Sequence, residues 1–88
     1  MADYTVCIKA GVNKDISALP QDVVPRILQK IEELSKAPLP SGVRKLSGAE
    51  HLYRVRAGDY RIIYAVHHRE QEITIHYVRH RRNAYRGL

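Results

Sequence analysis

The chain has a single cysteine among its 88 residues and no apolar run near the roughly 20 residues that span a bilayer. Cys7 therefore has no intrachain disulfide partner, which fits a reducing compartment. Within YTVCIKA it reads as a buried structural thiol rather than a nucleophile. The N-terminus MADYTVCIKAG lacks a charged segment leading into an apolar one, so a cytoplasmic protein with no membrane partner is expected. There is no Gly-rich phosphate loop, no Ser-His-Asp order and no paired-carboxylate signal. His67 and His68 fall in a turn, His51 before a strand and His76 on a strand, without convincing partners at ligand spacing. No metal and no cofactor are expected. The length suits one domain, residues 1–88, with a single core.

What the chain does have is arginine in an uneven place. Its net charge is +6, yet residues 1–40 carry five basic and five acidic side chains, so the whole excess lies in residues 41–88. Nine of the ten basic residues in that second part are arginine. The guanidinium fork grips phosphate bidentately and stacks on bases, so the bias points to a polyanion. A lipid surface is the weaker match, because these arginines lie on strands and a tail and not on an amphipathic helix.

DYTVCIKA alternates with Val6 and Ile8 on one face and reads as a first strand. Asn13 is a candidate cap for a short helix with Val12, Ile16 and Leu19 inward. QDVVPRILQKIEELSKAP carries the strongest helical stripe, Val24, Ile27, Leu28, Ile31 and Leu34. Asp22 as its cap would leave Pro25 in the first turn, where a missing N–H costs nothing, and Pro38 and Pro40 end it. GVRKLSG gives a short strand, LYRVRAGDYRIIYAV a hairpin, and EITIHYV a last strand ending near Val78, before a basic tail. The order β-α-α-β-β-β-tail predicts an α+β domain with two helices on one face of a mainly antiparallel four-stranded sheet.

A two-residue turn at Gly58 and Asp59 pairs Ala57 with Tyr60, Arg56 with Arg61, Val55 with Ile62 and Arg54 with Ile63. Alternation then projects Arg54, Arg56 and Arg61 from one face, shared with Leu52 and Ile63. Like charges in register repel, so the cluster suits an anion better than a solvated surface. The tail adds His80, Arg81 and Tyr85: a titratable ring, a phosphate clamp and a face for base stacking worth roughly 1–3 kcal/mol per base.

ALPQDVVPRILQKIEELSKAP, then GVRKLSG with LYRVRAGDYRIIYAV, then VRHRRNAYR resemble the paired helices, central strands and C-terminal motif of the RelE toxins, within the RelE/ParE superfamily of type II toxin–antitoxin systems. The resemblance covers nearly the whole chain. It implies a compact microbial RNase-like fold and a metal-independent, ribosome-dependent endoribonuclease that cuts mRNA in the A site. It also implies inhibition by a cognate antitoxin, with operator DNA met only through the toxin–antitoxin complex. Carried over by residue, the family's catalytic positions fall on Arg54, Arg56, Arg61, Arg81 and Tyr85, with Arg44, Lys45, Arg79, Arg82 and Arg86 as surrounding RNA-binding residues. Positions 54 and 56 match lysines in the best-known RelE toxins. Arginine stays charged at any working pH, so here they suit gripping better than proton transfer. His80 is the acid–base candidate beside this set. Two alternatives stay open, a ParE-type toxin that poisons DNA gyrase and a nucleic-acid module without chemistry. ParE-type relatives generally lack the full arginine set.

Overall fold

The structure, a computed structural model, describes residues 3–46 and 51–80. Its elements are β1 (Thr5–Ile8), α1 (Ala10–Ser17), α2 (Val24–Lys36), β2 (Arg44–Lys45), β3 (Leu52–Ala57), β4 (Tyr60–His67) and β5 (Glu72–His80). The strands form one sheet in the order β1-β5-β4-β3-β2. From β2 to β5 each strand pairs antiparallel with the next, so the sheet is mainly antiparallel as expected but has five strands rather than the four expected. The sheet has a fifth member because the helices carry the chain back across it, leaving β1 beside β5 and parallel to it.

The helices cover one face. Val12 and Ile16 of α1 and Ile27, Ile31 and Leu34 of α2 form one core cluster with Val55, Ile62, Tyr64, Val66, Ile73, Ile75 and Val78. Ile27, Leu34, Ile62, Ile73 and Ile75 are fully buried, each worth roughly 1.5–3 kcal/mol against leaving it in water. Leu28, expected in the α2 stripe, is instead 47% exposed, because Val24, Ile27, Ile31 and Leu34 already fill the arc that meets the sheet.

Both expected caps move. The first helix starts at Ala10 with Lys9 in the cap position, and Asn13 lies inside it. Lys9 O accepts from Val12 N (2.9 Å) and Asn13 N (3.2 Å), closing the first turn directly after β1. Val23, not Asp22, holds the cap position of α2, since a turn in which Pro20 O accepts from Val23 N and Val24 N leads into the helix. Pro25 does sit in the first turn, and Ala37 leaves helical geometry (φ −139°, ψ 87°) ahead of Pro38. Tyr64 then ties this exit to the sheet, its hydroxyl donating to Pro38 O at 2.7 Å.

Candidate nucleic-acid interface

The hairpin pairs as its turn dictates: Ala57 with Tyr60, Arg56 with Arg61, Val55 with Ile62, and Arg54 with Ile63. Gly58 takes φ +64° at the first central position, where a II′ turn requires glycine. Val55, Ile62 and Tyr64 join the helix-side core, so Arg54, Arg56 and Arg61 project from the face opposite the helices. Ile63 and Ala65 are also buried but stand outside that core cluster, as residues of the opposite face must.

β5 extends this face through an irregularity. Ile63 pairs with Tyr77 but Tyr64 pairs with Ile75, so His76 is the extra residue of a β-bulge. The bulge shifts the phase. Ile73, Ile75 and Val78 all point toward the helices, while Tyr77 and Arg79 point away from them. Two cross-strand rows result: Arg56–Arg61–Arg79, and beside it Arg44–Arg54–Ile63–Tyr77. Neighbouring strands lie about 4.8 Å apart, so the first row holds three positive charges across roughly 10 Å. Arg44 and Arg56 are exposed and Arg54, Arg61 and Arg79 half-buried. Arg79 also lays its guanidinium over the Tyr77 ring, 4.7 Å from the centroid. Glu72 shares the face but stands at its far end, in register with His67 and Thr5.

Of the residues expected to act, Arg44, Arg54, Arg56, Arg61 and Arg79 are thus brought together. Lys45 pairs with Tyr53, whose ring packs against the helix-side core, and so falls out of the set by alternation. His80 also falls away. It pairs with Tyr60 on the helix side, their rings edge to face at 5.3 Å, because strand neighbours point to opposite faces and Arg79 has taken the other one. Arg81, Arg82, Tyr85 and Arg86 lie outside the described residues.

Cys7 is exposed, not buried as expected, since Val6 and Ile8 take the inward positions of β1. A hydrogen bond with Glu72, then desolvation and the carboxylate's charge, push its thiol pKa up and so disfavour the thiolate. Burial, followed by the charges of Lys9 and His67, holds the His76 imidazole below its usual range. Tyr77, which the sequence reading passed over, is the further member of the face. Among the described residues no group of three or more His, Cys, Asp or Glu is placed to hold a metal ion, and no helix is long and apolar enough to cross a membrane.

Beyond Ile75 the outer margin of β5 no longer meets β1, which ends at Ile8, and α1 runs alongside. Two clefts open there. One of about 480 Å³ is lined by Asp15, Leu19, Tyr60, Val78, Arg79 and His80, and one of about 310 Å³ by Lys9, Gly11, Asp15, His76, Tyr77 and Arg79, among others.

Residues 7–85 match the family model described as the ParE toxin of the type II toxin–antitoxin system parDE. The chain belongs to the RelE/ParE family of type II toxin–antitoxin toxins. This RelE/ParE toxin is 31% identical over 87 residues to the RelE1 protein of Methanocaldococcus jannaschii, covering 96% of its own length and 97% of that protein. The RelE of the archaeal RelE–RelB complex from Pyrococcus horikoshii OT3 superposes with a TM-score of 0.80 at 36% identity, over 90% of this chain and 96% of that one. The RelB–RelE antitoxin–toxin complex from Methanococcus jannaschii gives a TM-score of 0.75 at 28% identity, over 93% and 98% of the two chains.

Proposed function

We propose that this toxin is a ribosome-dependent mRNA endoribonuclease, neutralised by a cognate antitoxin. The observation that carries the reading is the row Arg56–Arg61–Arg79 in register across three strands, with Arg44 and Arg54 in the next row on the same face. Like charges in register oppose one another, and a phosphate lying between them is gripped by charge-assisted hydrogen bonds.

RNA cleavage of this kind passes through attack of a 2′-OH on the adjacent phosphorus, with the 5′-oxygen leaving on the far side. Negative charge grows on the phosphorane oxygens, and fixed guanidinium groups meet it without having to reorganise. Arg56, Arg61 and Arg79 hold the phosphate in this reading, Arg44 and Arg54 the neighbouring backbone, and Arg81 and Tyr85 complete the set from the tail. Arginine moves no protons at working pH, and His80 faces away from the row. The rate then rests on charge stabilisation and on the ribosome aligning the 2′-OH for in-line attack. Translating ribosomes place the action in the cytoplasm.

The antitoxin follows from the relatives, since the RelE chains of P. horikoshii and M. jannaschii are seen in complexes with RelB. The ParE description of the matching family model favours a second reading, a gyrase poison without nuclease activity. Mapping new mRNA 5′ ends against reading frame, after inducing the chain without antitoxin, separates the two. Cuts in phase with codons support the nuclease, and intact mRNA with DNA damage supports the gyrase poison. Arg61→Ala and Arg81→Ala should each abolish growth arrest while antitoxin binding persists, and full arrest by either variant overturns the proposed roles.

A further inference from the structure

Tyr77 stands in the second cross-strand row, in register with Ile63 and so in line with Arg54 and Arg44, while Arg79 belongs to the first row. The Arg79 guanidinium lies 4.7 Å from the centre of the Tyr77 ring. A planar cation held on an aromatic face is a pre-formed stack, and each member has a flat surface suited to a nucleobase. Tyr77 and Arg79 both border the 310 Å³ cleft between α1 and the outer margin of β5. That volume falls in the range of roughly 300–1,000 Å³ typical of small-molecule sites.

The other walls supply what a base edge requires. Asp15 offers an acceptor and Lys9 a cation, while Gly11 leaves its side of the cleft open, with nothing within 4 Å of where a Cβ would stand. His76 adds an imidazole whose two ring nitrogens can donate or accept.

We propose that Tyr77 and Arg79 form a stacking platform that seats one nucleobase of the RNA in the cleft between α1 and β5, adjoining the phosphate held by Arg56 and Arg61. The platform rests on the RNA reading above and adds a base-selecting element to it. Stacking accepts any base, so selection among bases falls to Asp15, Lys9 and His76 at the rim.

The test titrates the purified chain and its Tyr77→Leu and Tyr77→Phe variants with a fluorescent single-stranded RNA of about ten nucleotides. The same RNA is then used with an abasic site at each position in turn. One abasic position should weaken wild type and Tyr77→Phe by about 5- to 150-fold and leave Tyr77→Leu unaffected, since that variant has already lost the stack. Tyr77→Leu should bind the intact RNA more weakly by the same factor. Thermal midpoints measured alongside separate a packing loss from a lost stack, and Tyr77→Phe keeps the ring. Equal affinity of Tyr77→Leu and wild type for intact RNA overturns the platform, as does a wild-type chain indifferent to every abasic site or unable to bind RNA. Cleavage mapped in cells reports separately on the nuclease. Cuts without abasic-sensitive binding overturn the platform alone, and abasic-sensitive binding without cuts overturns the nuclease alone.

Discussion

Arg56→Gln should make the protein more stable and less active. Arg56 is exposed, and its cross-strand partner in β4 is Arg61, a like charge in direct register. Such pairs are unfavourable by roughly 0.2–1 kcal/mol. An independent estimate agrees, since two unit charges about 5 Å apart in water repel by about 0.8 kcal/mol. Glutamine keeps most of the stem that covers neighbouring apolar surface and removes only the charge. For a domain of this size, each kcal/mol moves the midpoint by roughly 4–8 °C, so a gain of ~1–8 °C is expected at low ionic strength. Near 1 M salt the screening length falls to about 3 Å and the gain should vanish. Circular dichroism melts of the two proteins at low and high salt measure this, and end mapping of mRNA measures activity. Removal of one positioned charge-stabilising donor should lower cleavage by about 10²–10³-fold. Equal destabilisation of Arg56→Gln at both salt concentrations would refute this, because Arg56 would then be supporting the fold instead of straining it.

Removing the Tyr64 hydroxyl with Tyr64→Phe leaves Pro38 O without its donor and should cost about 1–2 kcal/mol near neutral pH, read by urea unfolding. Burial first, and the neighbouring Tyr53 second, raise the Tyr64 pKa in the folded state. The stability tied to that shift is complete below the unfolded value of about 10 and is lost as pH rises beyond it, so the gap between wild type and Tyr64→Phe should narrow there. A gap that stays constant through that range would contradict the raised pKa. Deleting His76 removes the extra residue of the bulge while Ile73, Ile75 and Val78 keep their inward places. The shortened chain should fold and keep the salt dependence that the arginine rows confer while losing the contact His76 makes at the cleft, and a folded chain whose salt dependence has fallen would show that the register had moved.

The hairpin was legible in the sequence because a two-residue turn leaves only one register, and every pair from Ala57–Tyr60 to Arg54–Ile63 follows from it. The long helix was legible from its stripe, though not the exposure of Leu28, which depends on how wide an arc the sheet covers. The cap of α1 was missed because Lys9 closes the first turn through its backbone and makes no side-chain cap bond, leaving no signature at that position. For β5 a signal was present. Ile73, Ile75 and Val78 cannot share one face of a regular strand, since 78 is out of phase with 73 and 75, and an added residue between Ile75 and Val78 reconciles them. That phase decides the site. Strict alternation carried on from Ile75 would send Tyr77 and Arg79 toward the helices and His80 to the arginine face, the reverse of what the bulge produces. His80 adjoins arginines in sequence, but in a strand immediate neighbours are the residues that cannot share a face. The partners of Arg61 are instead found across the sheet: Arg56 five positions before it and Arg79 eighteen after, matched by register.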